Sequence, residues 1–436
     1  MTQPRIGSLC SGYGGLDMAV AEVFGGEVAW FFEYDKAPSK ILAHHWPDIP
    51  NYGDMTKADW AGIEQVDILC GGTPCQDLSG AGKRAGMTEG TRSNLWVQMR
   101  EAIAVQRPSI VIWENVRGAY SACADSDMGL CPGCVAGTGE HRPFLRALGR
   151  VLGDLSSLGY DSRVVPLRGS DVGAAHGRYR LFVVAVAQND RRERAGSAWD
   201  WRAGLANLSS AVADFEGDSG WFGNGDNGPV FDTYGGRGEQ GERTAVRGAA
   251  LDNGSGVVDE RNTRPTDSGH AHAGSSRFRQ HTRATPAQET GSQRSDESAN
   301  RRGLSSAPRL GYLTPAEQQR VDEYTALWDA VEDKHPYFIS EEGKDYWPAI
   351  LRHQEALGRP VPPPSIPDGK NGQHRYSPIF GEWMMMLPVG HVTAVEDISR
   401  NDMHKALGNG VIPLQATTAI RIGIRSFIEL AERWAA

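Results

Sequence analysis

The chain of 436 residues carries a formal net charge of −9, and its acidic balance speaks against a simple basic nucleic-acid coat without excluding a basic cleft. Its length allows two or more domains and a sizeable core, and no stretch reaches the roughly 20 apolar residues of a membrane helix. Six cysteines without regular spacing, and no apolar leader after Met1, point to a reducing cytoplasm and no disulfides.

In chain order, Ile6 to Leu9 reads as a first strand, followed by Cys10-Ser11-Gly12-Tyr13-Gly14-Gly15-Leu16-Asp17 and a helix through Val23. Glycines between a strand and a helix let backbone approach a ligand at the helix N-terminus, although the dinucleotide fingerprint would place a glycine where Asp17 stands. Val28 to Asp35 reads as a second strand ending in acid. There Glu33 is placed to accept from ribose hydroxyls, with Tyr34 beside it to stack. A helix from Ala37 to His45 precedes Gly53-Asp54, whose carboxylate could meet an adenine amino group. Each acid alone is also what a solvated loop provides, but three strand-end features in order favour a nucleoside cofactor.

Val66 to Cys70 is a short apolar run leading into Gly71-Gly72-Thr73-Pro74-Cys75-Gln76. Glycines break the strand, Pro74 stiffens the backbone, and Cys75 falls at the sheet edge where open α/β folds do their chemistry. A thiol there is a candidate nucleophile; the alternative is a buried structural cysteine. The polar loop Ser79 to Arg92 is long enough to be a mobile lid. A helix from Asn94 to Gln106 leads to the strand Ile110 to Val116, which carries Glu114 to the same edge. Burial there should raise its pKa and suit it to hold or donate a proton. A helix from Phe144 to Leu158 and strands at Arg163 to Leu167 and Arg180 to Val186 follow. Arg178 and Arg180 could grip phosphate or base acceptors, or be a solvated charge pair.

From about Asn189 to Pro308 the periodicity disappears and Gly, Ser, Arg, Asp and Asn dominate, so this segment is expected to be disordered. Order returns with a helix from Thr314, with Pro315 in its first turn, through Val331 and another from Asp345 to Leu357 that bears Tyr346, Trp347, Arg352 and His353. Cys131-Pro132-Gly133-Cys134, with Cys123 and His141, has the outline of a zinc site, although a single Cys-x-x-Cys also describes reduced loop thiols.

This order of features resembles the S-adenosyl-L-methionine-dependent DNA cytosine-5 methyltransferases of bacteria and phages. Gly12-Tyr13-Gly14-Gly15 looks like the family's cofactor loop, Pro74-Cys75-Gln76 its catalytic thiol segment, and Glu114-Asn115-Val116 the segment that binds cytosine N3. Arg178 and Arg180 fall on its paired arginines. Glu382 to Pro388 and Leu407-Gly408-Asn409-Gly410-Val411-Ile412-Pro413 resemble its last two motifs. The likeness runs from Ile6 to about Val186 and from Tyr376 to Ile428. Four departures stand out: Cys10 where phenylalanine is usual, His176 and Ala175 where glutamine and proline are common, and His391 where tryptophan is frequent.

The resemblance implies an α/β fold with a doubly wound Rossmann-like methyltransferase sheet, a smaller target-recognition domain and a long low-complexity insertion. Residues 1–188 would hold the catalytic and cofactor-binding domain, 189–308 the low-complexity segment, 309–375 the target-recognition region, and 376–436 the returning C-terminal motifs. It implies catalytic roles for Cys75, Glu114, Arg178 and Arg180, and cofactor contacts at Gly12, Tyr13, Gly14, Gly15, Glu33, Tyr34, Asp54, Leu95 and Asn409. Zinc would fall on Cys123, Cys131, Cys134 and His141. The expected partner is double-stranded DNA, met by a cytoplasmic monomer with or without a cognate restriction endonuclease. An RNA cytosine-5 methyltransferase of the same fold shares the cofactor and thiol motifs, and a non-catalytic DNA-binding relative would share the fold. A nicotinamide enzyme would explain the glycine loop but not Pro-Cys-Gln with Glu-Asn-Val.

Overall fold

Strands β1 (Arg5–Leu9), β2 (Glu27–Phe32), β3 (Ile68–Gly71), β4 (Ile110–Val116), β5 (Tyr160–Leu167) and β6 (Arg180–Ala187) build one sheet in the order β2-β1-β3-β4-β6-β5. The computed structural model describes residues 3–73, 95–120, 145–188 and 315–435, with short strands at 123–124 and 231–232. The latter strand pairs with the outer edge of β5. Pairing is parallel from β2 through β4 and antiparallel at β4–β6 and β6–β5. This reversal matters for chemistry. An antiparallel β6 starts where its parallel neighbours end, so Arg180 pairs with Val116 at the edge where β1, β3 and β4 terminate.

The strands read as unbroken apolar runs because both faces of the sheet are covered. On one face Ile6, Cys70, Ile112 and Val184 pack with helix α1 (Gly15–Phe24) and the C-terminal helix, here α9 (Pro413–Ala435). On the other, Leu69, Val111, Trp113 and Val183 pack with α3 (Leu95–Gln106) and α4 (Ala147–Ser157). Helix α2 (Lys36–His45) follows β2. The expected doubly wound α/β sheet is therefore the observed one.

Strand limits differ from expectation where side chains take over the pairing. β2 stops at Phe32 because the Asn51 side chain occupies both backbone groups of Glu33, accepting from its N–H at 2.9 Å and donating to its carbonyl at 3.1 Å. β5 begins at Tyr160, three residues before the apolar alternation is evident, and the Tyr160 hydroxyl donates to the Pro108 carbonyl at 2.6 Å.

Beyond the sheet lie α5 (Pro315–Asp329), α6 (Trp347–Leu357), α7 (Pro378–Met384) and α8 (Arg400–Asn409). Trp328, Phe338, Ile350 and Val361 share one small core with Phe380 and Trp383 of α7. Of the four residues singled out between Asp345 and Leu357, Tyr346 and Arg352 are exposed, Trp347 is half-buried, and His353 is wholly buried. Among the described residues, no helix is long and apolar enough to cross a membrane. The segment around Cys75, the Ser79–Arg92 loop and nearly all of 189–308 lie outside the described residues.

Candidate active site

At the end of β4, three consecutive side chains face three tasks. Trp113 donates its indole N–H to the Thr73 hydroxyl at 2.9 Å, and Asn115 donates to the Thr73 carbonyl at 3.1 Å. Both contacts are buried, so the last residue before Pro74-Cys75 is clamped to the neighbouring strand. Between them Glu114, 7% exposed, forms an ion pair with Arg180 at 2.8 Å between Oε1 and Nε. Burial raises the Glu114 pKa, against the pull of Arg180 and Arg178. Its other oxygen lies over Gly72, where a Cβ would come within 2.9 Å, so glycine there admits the carboxyl beside the chain that leads to Cys75. Cys75 itself lies outside the described residues.

The arginine loop is tied down from several sides. Arg178 donates to the carbonyls of Gly408 at 2.8 Å and of Gly410, bracketing Asn409, whose side chain is exposed. His176 donates to the Met384 carbonyl at 2.9 Å. The Ala175 amide donates to Nδ1 of His353 at 2.9 Å. Neither arginine is therefore a freely solvated charge: one reads the C-terminal glycine loop and the other holds Glu114.

The glycine loop leaves β1 with left-handed backbone at Cys10, Gly12 and Gly14. Its Gly12 amide donates to Glu33 Oε2 at 2.8 Å, and the Asp35 amide to Oε1 at 2.8 Å. Burial raises the Glu33 pKa while those two amides lower it. One lone pair on each carboxylate oxygen thus remains for a ligand hydroxyl. Nothing lies within 4 Å of the position a Cβ would take at Gly12 or Gly53, which leaves space at both turns. Asn51 accepts from Gly53 as well as Glu33, coupling the turn before Asp54 to the end of β2. Asp54 Oδ1 is taken by the Thr56 amide and hydroxyl, which lower its pKa, and Lys57 stands 3.4 Å from Oδ2. A carboxylate pair and an open glycine turn fit a ribose and base between β1 and β2.

The other expected cofactor residues are placed differently. Tyr34 is 75% exposed beside Glu33, and Leu95, half-buried, opens α3. The Tyr13 ring turns away from the loop surface into the core, where its hydroxyl donates to the Val411 carbonyl at 2.7 Å and its own carbonyl accepts from His391 at 2.8 Å. Cys10 places its sulfur 3.7 Å from that of Met55. Sequence reasoning missed the roles of Asn51 and Thr73, and named His353 without its buried contacts. It also passed over Asp17 as a side chain: wholly buried on α1 with Ser8 beside it, neither of its carboxylate oxygens is met at full hydrogen-bond geometry among the described residues. Burial raises its pKa to about 7. Of the expected zinc ligands, Cys123 is placed only as strand backbone, and Cys131, Cys134 and His141 lie outside the described residues. Among the described residues no cluster of three or more His, Cys, Asp or Glu could hold a metal.

A mostly parallel sheet wound on both faces, with glycine turn, acids and a buried carboxyl–guanidinium pair gathered at one edge, defines the Rossmann-like α/β class. Within it, the chain belongs to the C-5 cytosine-specific DNA methylases, whose family profile matches residues 5–322. The donor in this family is S-adenosylmethionine. The match ends before Glu382–Pro388 and Leu407–Pro413, on which the resemblance also drew. A DNA N-6-adenine-methyltransferase of Escherichia phage P1 is 34% identical over 42% of this chain and 28% of its own length. Orphan methyltransferase M.SPRI of Bacillus phage SPR is 36% identical over 27% of each chain. Type II methyltransferase M.HpaII of Haemophilus parainfluenzae is 38% identical over 25% of this chain and 30% of its own. This chain therefore spans less than a third of the length of each.

Proposed function

We propose that the protein is a DNA cytosine-5 methyltransferase. The observation that supports this most is the buried Glu114–Arg180 pair, set at the edge where the clamped Thr73 leads into Pro74-Cys75. Cytosine C5 is a poor nucleophile until a thiolate adds at C6. In this reading Cys75 forms that bond, and the buried Glu114, whose pKa is raised, holds a proton at N3 so that ring charge is absorbed as an enamine. Arg180 keeps the Glu114 carboxyl oriented, and Arg178 fixes the adjoining loop. Bound S-adenosylmethionine would supply the electrophilic methyl carbon. Loss of the C5 proton to a base then expels the Cys75 thiolate and restores the ring. Gly12, Gly14, Gly15 and the Tyr13 backbone would line the cofactor, Glu33 would accept from its ribose and Asp54 from its adenine, with Tyr34, Leu95 and Asn409 at the rim. A target base inside duplex DNA must be flipped into such a site.

The region 309–375 is proposed to read the target sequence, since it combines a packed core with exposed Tyr337, Tyr346 and Arg352. Zinc on Cys123, Cys131, Cys134 and His141 is proposed on cysteine spacing alone. The test of the main reading is nucleoside analysis by mass spectrometry after incubation with duplex DNA and labelled cofactor. Label should appear as 5-methylcytosine, and DNA containing 5-fluorocytosine should form a denaturation-resistant adduct through Cys75. Label in N6-methyladenine alone, the product named for the phage P1 relative, would overturn the reading, as would label in transfer RNA but not DNA.

A further inference from the structure

His353 is a histidine on α6, within the region proposed to recognise DNA, yet it does not face solvent: its exposure is 0%. Both ring nitrogens are engaged with opposite roles. Nδ1 accepts the Ala175 amide at 2.9 Å, and Nε2–H donates to the Trp383 carbonyl at 2.9 Å, with the two rings 3.9 Å apart. That pairing admits only the neutral Nε2–H tautomer, because an imidazolium has no acceptor. Ala175 is three residues before Arg178 and five before Arg180. The same loop is held by His176 to α7 and by Arg178 to the C-terminal glycine loop. His353 is thus the one contact among these that comes from α6.

We propose that His353 is a positioning residue that fixes the loop carrying Arg178 and Arg180, through its bond to the Ala175 amide, so that Arg180 meets Glu114 in register. The proposal rests on the reading of Glu114 and Arg180 given above. Its logic is geometric. Arg180 reaches Glu114 across a pair of antiparallel strands, and the loop preceding β6 sets where that strand begins. An unsatisfied Ala175 amide would let the loop retreat, and misplacement of about 1 Å can cost on the order of 10²-fold in rate. The neighbourhood favours the neutral ring. Burial lowers its pKa to about 4 despite the Trp383 carbonyl, and His176 on the loop and Arg359 beyond α6 add smaller contributions in the same direction.

Three variants separate the two ring contacts. His353→Asn keeps an acceptor near the Nδ1 position, His353→Gln keeps a donor near Nε2, and His353→Leu keeps neither. The proposal expects kcat on duplex DNA to fall by up to about 10²-fold in the Gln and Leu variants and to be largely restored in the Asn variant. Affinity for S-adenosylhomocysteine, read by calorimetry, should be unchanged in all three. Hydrogen exchange at the Ala175 amide, measured on the protein alone, should be fast in Gln and Leu and slow in wild type and Asn. Should His353→Leu fail to fold, His353→Gln carries the comparison. Equal kcat in wild type and Gln would overturn the role, and so would an Asn variant as slow as Leu with Ala175 still protected. A wild-type chain that transfers no methyl group to DNA would sink the reading of the site itself, and the positioning role with it. An active wild type with unchanged variants sinks the positioning role alone.

Discussion

Glu114 and Arg180 meet at 2.8 Å although they stand 66 positions apart in the chain, because β6 runs antiparallel to β4 and begins where β4 ends. Each side chain is nearly buried, at 10% and 13% exposure, so neither charge is diluted by water. Removing one partner leaves the other as a buried charge, which is costly. Glu114→Gln should therefore lower kcat by about 10²–10⁴-fold, the range of a general acid–base group, while S-adenosylhomocysteine affinity stays level. Arg180→Lys keeps the charge but loses the planar donor set, and should fall in the same direction. Steady-state rates with parallel calorimetry check both. A loss of cofactor affinity at constant rate would move Glu114 to the other pocket.

The acid after β2 makes a separate prediction. Glu33 receives two backbone amides and is left with lone pairs toward the glycine turn. Glu33→Gln should weaken S-adenosylhomocysteine binding about 10-fold or more, since hydrogen bonds to a charged group contribute about 1.5–3 kcal/mol. Asn51→Ala should act in the same direction without touching ligand, because Asn51 holds both Glu33 and Gly53. Unaltered affinity in both variants would remove this corner from the cofactor site.

Much of this arrangement was legible in the sequence, and the failures are instructive. Glu33, Glu114 and the arginines were found because they interrupt apolar strands at their ends, and an acid after Val-Ile-Trp is conspicuous. What the sequence did not reveal was which polar groups satisfy one another. Thr73 is an ordinary residue between Gly72 and Pro74 until Trp113 and Asn115 are seen to hold it. His353 stands next to Arg352 in the region expected to recognise the target, and aromatic and basic residues there suit either DNA contact or a packed helical subdomain. Its inward turn follows from the helix period, which sets Ile350, the buried residue three positions earlier, on the same face. Tyr13 was read as part of a cofactor loop, and its partners, Val411 and His391, are nearly four hundred residues away. Pairings of that range have no local signature.

Asp17 should make stability depend on pH in a direction that can be checked. Its folded pKa is raised to about 7 from an ordinary 3.8. Between those values the folded protein holds a proton that the unfolded chain has lost. The contribution is complete below about pH 4 and declines as pH rises toward 7, with a limiting slope of about 1.4 kcal/mol per pH unit. Burial is the main cause, and the nearby Glu33 carboxylate adds to the cost of charge there. Asp17→Asn cannot titrate, so its stability relative to wild type should improve steadily from pH 5 to pH 7 and then level off. Urea unfolding across that range measures it. A constant difference between the two proteins would mean that Asp17 does not change protonation on folding.

The clasp between the first and last parts of the fold offers the most specific test. Tyr13 lies against Gly410, where an added Cβ would come within 1.8 Å of the ring, and its hydroxyl holds the Val411 carbonyl at 2.7 Å. Gly410 has φ −73°, a backbone conformation open to any residue, so the demand for glycine here comes from the ring alone. Gly410→Ala should therefore destabilise the protein by at least the ~1–3 kcal/mol of an overpacked core. Tyr13→Phe leaves the ring in place and only strands the Val411 carbonyl, at about 1–3 kcal/mol. The two defects share one contact, so they should not add when the ring is removed: Tyr13→Leu with Gly410→Ala should be more stable than the sum of the single changes allows. Because Arg178 holds the same Gly410 carbonyl, Gly410→Ala should also slow methyl transfer, and Tyr13→Leu should recover part of that rate. Additive energies across the cycle would show that ring and glycine do not press on each other in solution.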